Sequence, residues 1–405
     1  MTALFSPFIT LRTTLSPVLV VLLMEPRTLR PSRTIVTSFT PRKASSNNNY
    51  DDGDWVLSLS ASVASLSCAL SNGEIQVYDL ERLHLTHSCP FYSNSNALLY
   101  ATPTTLVSAH QDGTLVGLDL RQRSTAPVWN ALVPNSRPLC LAMGYDSTVL
   151  VTGTDKGALH FVDLRQSSQF LATYTNGHTT QQPVNGVDFC DHVVLSGGDD
   201  GLMGYWDTRQ ATPELALQSV CQVGAPVQQV GLGPSCGAFA LTGNETVSLW
   251  QVAEAKRVWE SGVEWRQSLQ APVDYLVEAY WHGDELRLLG GSRTGDSVVV
   301  GLQTNGAANV QHVLRGGHRG VVRAWTQTSP TTWITAGEDA RLCEWSTHDE
   351  PLTSVSQHFP LQSTATATTP VHSNLSSSSL SGTKRAHTTG GPVRRHKHKQ
   401  STSPY

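Results

Sequence analysis

The sequence lacks the local patterns that identify most enzymes and metal sites. It has no His-Glu-x-x-His pair for zinc, no phosphate-cradling loop that ends in Gly-Lys-Ser, and no Cys-x-x-Cys pair among its seven cysteines. No residues suggest a nucleophile with its base, and no serine-nucleophile elbow is expected. We therefore predict a protein that is not an enzyme and has no cofactor and no metal ion. An odd number of scattered thiols is typical of a reducing compartment.

Charge and long apolar runs are also scarce. Charged residues make up 15% of the chain and the formal net charge is −4, which gives no general attraction for nucleic acid or acidic membranes. The N-terminal apolar run at 18–23 is too short to cross a bilayer, and no membrane partner is expected. An organelle transit peptide is the lesser alternative for this region, beside a disordered N-terminus or a start at Met24.

Turn residues and tryptophan are plentiful, with 32 Gly, 21 Pro and 10 Trp, which indicates many short strands. One pattern recurs: a turn with Asp or Asn and usually Gly, about five strand-like residues, then a large apolar residue before a polar one. The copies lie at 71–80, 111–120, 155–164, 199–208, 244–252, 295–303 and 338–346. A repeat of about 40 to 45 residues is one four-stranded propeller blade. The pattern predicts an all-β, seven-bladed β-propeller, with an insertion near 254–271.

Two of the copies follow a glycine-histidine pair. We predict that each histidine joins a buried hydrogen-bonded chain with a strand hydroxyl, a turn aspartate and a tryptophan, and that neither binds metal nor takes part in catalysis. The set in the fourth blade is His178, Ser196, Asp199 or Asp200, and Trp206, and the set in the seventh is His318, Thr335, Asp339 and Trp345.

The Gly-Gly-His, Gly-Gly-Asp-Asp-Gly and Trp-Asp elements resemble those of the WD-repeat (WD40) superfamily over about 300 residues. Within it, the segments 71–83, 274–296, 316–325 and 335–345, together with a basic tail, are similar to the WD repeat-containing protein 89 family. The resemblance implies a WD-type propeller but no defined molecular role. The glycine-histidine pair is missing from most blades, which weakens a comparison blade by blade.

The repeats also suggest the domain limits. Residues 1–33 are expected to form a disordered N-terminal extension, residues 34–350 the propeller, and residues 351–405 a disordered Ser/Thr-rich and basic tail. A closed ring must join its first and last blades, and the outermost strand of the last blade is expected from Thr34–Phe39.

A rigid, non-catalytic scaffold for protein partners is the function that this fold favours. A sharper hypothesis comes from the sequence Trp206-Asp207-Thr208-Arg209, which resembles the WDxR box of substrate receptors for cullin-4 ubiquitin ligases. Arg209 would then bind the ligase adaptor through a charge-assisted contact. Arg121 and Arg165 follow an aspartate in the same way in the two preceding blades. The plainer alternative is that each arginine only pairs with a nearby acid.

The C-terminal tail contains a cluster of basic residues with no acid among them. Its members are Lys384, Arg385, Arg394, Arg395, Lys397 and Lys399. The cluster predicts a nuclear-import signal or a polyanion-binding patch, and the alternative is a tail that only aids solubility. A nuclear or cytoplasmic location is expected, with nucleic-acid or chromatin binding only through this tail.

Overall fold

Seven sheets, antiparallel except for one added edge strand, follow one another along the chain and form the blades of a β-propeller, as the repeats predicted. The computed structural model describes residues 26–37, 54–91, 93–122, 125–166, 170–262, 264–269 and 271–347, which all belong to one compact unit.

The strands are β1 (Arg27–Leu29), β2 (Arg33–Val36), β3 (Val56–Ala61), β4 (Ser65–Leu70), β5 (Glu74–Asp79), β6 (Leu85–Pro90), β7 (Ser95–Thr102), β8 (Thr105–His110), β9 (Thr114–Asp119), β10 (Trp129–Leu132), β11 (Pro138–Gly144), β12 (Val149–Thr154), β13 (Leu159–Asp163), β14 (Phe170–Tyr174), β15 (Val184–Cys190), β16 (Val193–Gly198), β17 (Leu202–Asp207), β18 (Leu217–Gln222), β19 (Val227–Leu232), β20 (Gly237–Thr242), β21 (Val247–Gln251), β22 (Lys256–Glu260), β23 (Tyr275–His282), β24 (Glu285–Gly291), β25 (Ser297–Leu302), β26 (Ala308–Leu314), β27 (Val322–Ser329), β28 (Thr332–Gly337) and β29 (Arg341–Ser346). The helical elements are the single-turn α1 (Pro213–Ala216) and 3-10 turns at Leu164–Gln166, Pro234–Cys236, Val252–Glu254 and Trp265–Leu269.

The two ends of the ring carry different turns. Blades 1 to 6 each contain a four-stranded meander, so the first-to-second and third-to-fourth turns lie at one end and the second-to-third turn lies at the other. We call the first end the arginine face, because Arg121, Arg165 and Arg209 lie in its third-to-fourth turns. The opposite end is the histidine face, where His178 and His318 precede the inner strands β15 and β27.

The ring closes through its N-terminal segment. Strand β2 pairs antiparallel with β29, with Ile35 opposite Leu342, and so becomes the fourth strand of blade 7. Ile35 is buried in the hydrophobic cluster that joins blade 7 to blade 1. The predicted closing strand is confirmed at this place with bounds Arg33–Val36, while residues 38 and 39 lie outside the described residues.

The expected N-terminal extension over 1–33 is wrong for its last residues. Strand β1 pairs in parallel with β26 and adds a fifth strand to blade 6, and Arg33 already belongs to β2. A three-residue strand leaves no period in the sequence, but it satisfies backbone groups at the outer edge of β26 that would otherwise face solvent. Residues 1–25 and the whole predicted tail, 351–405, lie outside the described residues.

The core of the described structure is divided among the seams between neighbouring blades, with one hydrophobic cluster at each seam. At the seam between blades 3 and 4, for example, Phe161 and Tyr174 pack with Phe189 and Trp206. Each blade therefore buries both faces of its two middle strands, which explains why these strands, such as β12 and β25, are buried at every position, whereas outer strands such as β6 and β18 alternate.

The second-to-third turns need one residue in the left-handed region. Glycine supplies it in five blades, as at Gly201 with φ of 73°, but Glu245 and Ala340 adopt φ of 61° and 57° in blades 5 and 7. In blade 4 the Asp200 carboxylate accepts the Leu202 N–H at 3.1 Å. The turn aspartate therefore fixes the hairpin together with the glycine. In blade 7, where Ala340 stands in place of the glycine, the aspartate fixes the hairpin without a glycine.

The insertion predicted near 254–271 is confirmed from residue 261 onward, but the first predicted residues belong to the blade. Residues Lys256–Glu260 form β22, a regular blade strand, because they pair with β21. The additional residues connect β22 to β23, and within them the turn Trp265–Leu269 packs Leu269 against the cluster between blades 5 and 6.

Polar side chains also connect the inner strands across the seams. Asp188 Oδ2 accepts the Leu232 N–H at 2.7 Å, and Gln229 accepts the Ala279 N–H at 2.8 Å. Burial raises the pKa of Asp188 above its ordinary value, although the Leu232 N–H opposes that rise. Burial has a larger effect at Glu278 on β23, whose pKa rises to about 8.

The Glu278→Gln variant is expected to remove a pH dependence of stability. A folded-state pKa above the ordinary glutamate value of 4.5 means that the folded protein retains the proton more tightly, so stability falls as pH rises from about 4.5 to about 8. Glutamine is neutral throughout, so the variant should match the wild type near pH 5 and exceed it near pH 8.5. Urea denaturation at several pH values measures this. The exposed Glu81→Gln variant controls for the charge change, and an unaltered pH slope in Glu278→Gln would contradict the prediction.

Candidate functional site

A buried hydrogen-bonded chain lies under the histidine face in blade 4. His178 Nε2 lies 2.8 Å from Ser196 Oγ, which also accepts the indole N–H of Trp206 at 2.9 Å. The other ring nitrogen, Nδ1, lies 3.2 Å from Asp200 Oδ1, and the same carboxylate accepts the Thr179 N–H at 2.7 Å. Burial alone would raise the pKa of Asp200, but the hydrogen bonds from His178 and from the Thr179 N–H outweigh it and lower the pKa. This network of hydrogen bonds therefore connects the segment before β15, the strand β16 and the turn between β16 and β17.

The structure distinguishes between the two neighbouring aspartates that the sequence left open. Asp200 contacts His178, whereas Asp199 accepts a hydrogen bond from Asn185 Nδ2 at 2.7 Å. The same amide donates to the Val227 carbonyl at 3.0 Å in blade 5. Asp199 therefore supports a contact between blades.

Blade 7 repeats the arrangement. His318 Nδ1 lies 3.0 Å from Asp339 Oδ1, and Thr335 Oγ1 lies 2.8 Å from His318 Nε2 and accepts the Trp345 indole N–H at 2.8 Å. Burial alone would lower the pKa of His318, but Cys343 and Asp339 outweigh it and raise the pKa. In both sets, each nitrogen of the histidine ring has a hydrogen-bond partner within the blade. Both sets therefore have the geometry of networks that stabilise a blade.

Blade 2 contains a related contact that the sequence reasoning missed. His110, the last residue of β8, lies 2.8 Å from Ser108 Oγ through Nε2 and 3.0 Å from the Ser93 carbonyl through Nδ1. Burial lowers its pKa, so it is neutral at physiological pH. The only signal in the sequence was a histidine at the end of the apolar strand, in place of a glycine-histidine pair before the blade.

Blades 2, 3 and 4 each display the same aspartate-arginine pair on the arginine face. The pairs are Asp119–Arg121, Asp163–Arg165 and Asp207–Arg209. In each, Nε donates to one carboxylate oxygen at 2.9 Å and Nη2 donates to the other at 2.8 Å. The arginine side chains remain 72%, 70% and 61% exposed. The structure thus shows local pairing and exposure together at all three positions.

This geometry orients the guanidinium groups more than it stabilises the fold. Hydrogen bonds from Arg209 hold the pKa of Asp207 well below its usual range, so the carboxylate stays charged. An exposed ion pair contributes little to folding stability because water and salt screen it. In Arg209, Nη1 makes no hydrogen bond to a described residue, so its donors remain unused in an exposed side chain.

The pentapeptide Gly-Pro-Ser-Cys-Gly at 233–237 has the spacing of a serine-nucleophile elbow, contrary to the expectation that the chain has none. Ser235 has left-handed angles, φ 55° and ψ 41°, but it lies in a turn between the antiparallel strands β19 and β20. A hydrolase elbow joins a strand to a helix. Gly233 has a packing reason, since a Cβ there would lie 2.4 Å from the Trp281 ring. No hydrogen bond links Ser235 to a histidine among the described residues.

Two further features of the described residues concern metal ligands and long apolar helices. Its histidine, cysteine and acidic residues form no group of three or more suited to a metal ion. None of its helices is long and apolar enough to cross a membrane.

Solved structures share the ring architecture. A chain of the mitotic checkpoint complex crystal structure superposes with a TM-score of 0.62 at 17% identity, over 86% of this chain and 99% of that one. BamB from Moraxella catarrhalis gives 0.53 at 15% identity, over 74% and 87%. The chain folds as a seven-bladed β-propeller. Identities this low concern the fold alone.

Sequence relatives match only in part, and no protein-family model matches the chain. It is 36% identical over 73 residues to the DDB1- and CUL4-associated factor 11 homolog of Caenorhabditis briggsae, which is 17% of this chain and 13% of that protein. The Caenorhabditis elegans homolog is 31% identical over 110 residues, 24% and 19% of the two chains. The chain thus spans less than a fifth of the length of these curated relatives.

Proposed function

We propose that this propeller is a non-catalytic protein-interaction scaffold that acts as a substrate receptor of a cullin-4 ubiquitin ligase. The observation that carries the proposal is the row of exposed arginines held by aspartates on three consecutive blades. The partial relatives support it, because their names associate them with DDB1 and CUL4.

The arginine pairs suit an adaptor interface for a physical reason. Each aspartate fixes its guanidinium through Nε and Nη2, so little side-chain entropy remains to be lost on binding. The free edge of Arg209 offers donors to backbone carbonyls or carboxylates of a partner, where charge assistance strengthens each hydrogen bond. The opposite, histidine face then remains available for a substrate protein.

The Arg209→Ala variant is expected to reduce binding of DDB1 at least tenfold, and combined Arg121→Ala, Arg165→Ala and Arg209→Ala substitutions should abolish it. The measurement is affinity purification of the full chain from cells with mass spectrometry, followed by titration with purified DDB1. The control is Arg137→Ala on the histidine face, where the side chain is 60% exposed and pairs with Asp155 at 2.9 Å.

Equal DDB1 recovery with wild type and the triple variant would contradict the receptor role. If other proteins dominate the purification and ignore Arg209, the chain is a scaffold with those partners. Equal losses from Arg137→Ala and Arg209→Ala would also count against a specific arginine interface.

Location and relationship are part of the same proposal. We place the protein in the nucleus, the cytoplasm or both, with the basic cluster at 384–399 as its import signal. Those residues lie outside the described ones, and any nucleic-acid binding would depend on them. We also propose kinship with the WD repeat-containing protein 89 family from the blade motifs. Unchanged nuclear location after removal of residues 384–399 would exclude the import role.

A further inference from the structure

A cleft opens on the arginine face at the seam between blades 5 and 6. It consists of two adjoining cavities of about 360 Å³ each that share Asp284 and Thr304. One is lined by Pro234, Val258 and Trp281, and the other by His282, Glu285 and Gln303. We call the two together the Trp281 cleft. It lies beyond the blades that carry the aspartate-arginine pairs.

The first compartment is lined mainly by apolar residues, with Asp284 and Thr304 at its border with the second. The Trp281 ring lies over Gly233, where a Cβ would be 2.4 Å from Cε2, and packs at 6.4 Å from the Phe239 ring. Val258, on the outer strand β22, remains 51% exposed. The indole N–H of Trp281 has no hydrogen-bond partner among the described residues. Exposed apolar surface beside a fixed aromatic ring is typical of a position that receives an apolar side chain.

The second compartment contains one uncompensated negative charge. Glu285 accepts two hydrogen bonds from Gln311 Nε2, at 2.9 and 2.8 Å, and its carboxylate lies 3.6 Å from Arg287 Nε. Asp284, in the turn between β23 and β24, makes no hydrogen bond or ion pair with another described residue. Asp284 is therefore the carboxylate that a ligand can neutralise.

We propose that the Trp281 cleft binds an extended segment of a partner protein in which a lysine or arginine lies next to a large apolar residue. The cationic group pairs with Asp284, its alkyl stem lies along Trp281, and the neighbouring apolar side chain covers Val258 and Pro234. A single free carboxylate is too few ligands for a metal ion, and the apolar compartment gives a free cation no advantage. The inference uses blades 5 and 6 only and does not rest on the adaptor proposal.

Peptide selection on the full chain tests this. Random dodecapeptides displayed on phage are selected on wild type, and the enriched peptides are then titrated against three variants. Asp284→Lys should weaken binding at least tenfold, and Val258→Glu should weaken it through the apolar compartment. Asp146→Lys is the matched control, because Asp146 lies in the corresponding turn of blade 3 and should bind as wild type does.

The expected consensus is a basic residue beside Leu, Ile, Phe or Trp. The inference is overturned if no peptide is enriched, if acidic peptides are enriched, or if Asp284→Lys and Val258→Glu both bind like wild type. Thermal denaturation of each variant shows whether it is folded. Because Asp284 and Val258 are substituted separately, the test still stands if one of the two variants does not fold. DDB1 titration of Asp284→Lys separates this result from the fate of the adaptor proposal.

Discussion

Removal of residues 1–37 is expected to open the ring and make the protein associate with itself. The missing strand β2 would leave the edge of β29 unpaired over Arg341–Glu344, and an exposed edge strand is a template for pairing with another chain. Blade 7 would also lose Ile35 from the cluster that joins it to blade 1.

The size of the effect follows from what β2 buries. Ile35 is 3% exposed, and burying such a side chain contributes about 1.5–3 kcal/mol. Arg33 pairs with Glu344, whose side chain is 11% exposed, so that carboxylate would be left without its partner. A loss of several kcal/mol from these terms corresponds to a fall in Tm on the order of 5–10 °C for a protein of this size.

The matched control is a chain that begins at Met24, which retains both β1 and β2. Thermal denaturation and light scattering after size exclusion compare the two. We expect a lower Tm and species larger than a monomer only for the chain that begins at residue 38. If both chains behave alike, β2 does not close the ring.

The Trp206→Ala variant should lower the free energy of unfolding by about 3–5 kcal/mol, the usual cost of removing a large buried aromatic side chain. Trp206 is 1% exposed, packs at 5.2 Å from the Tyr174 ring, and would collide with a Cβ at Gly177, 2.1 Å from Cζ2. The cavity cannot collapse easily, because the neighbouring blade is fixed on its other side.

Hydrogen bonding adds to that loss, since Ser196 Oγ would keep His178 but lose the indole donor. Trp206→Phe separates the two effects, because it retains a ring and removes the N–H. Urea denaturation measures all variants, with Trp55→Ala as the control at a position that is 40% exposed. A loss below about 1 kcal/mol for Trp206→Ala would contradict the buried network.

Only part of the candidate site could be predicted from the sequence. The residues of the histidine networks share fixed places in each repeat, so His178, Ser196 and Trp206 could be grouped before the structure was known. The sequence could not show whether Asp199 or Asp200 contacts the histidine. Neighbouring residues in a turn direct their side chains differently, and here the turn directs Asp200 toward His178.

Other features depend on residues far apart in the chain and had no sequence period. The Trp281 cleft joins a turn of blade 5 to the end of β23 in blade 6, and Gly233 serves the packing of that tryptophan despite its elbow-like spacing. Glu285 has partners and Asp284 has none among the described residues, because the meander places Arg287 and Gln311 beside Glu285.

The sequence by itself determined the repeat, the number of blades and the closing strand, because turn residues and apolar strands recur at the period of one sheet. It also placed an arginine two residues after an aspartate in three blades, where local geometry suffices to make the pair. Only the tertiary structure decided that these arginines share one face, that β1 joins blade 6 and that a cleft lies between blades 5 and 6. Those properties depend on how separate blades pack around the ring, and packing between distant segments leaves no local pattern in a single sequence.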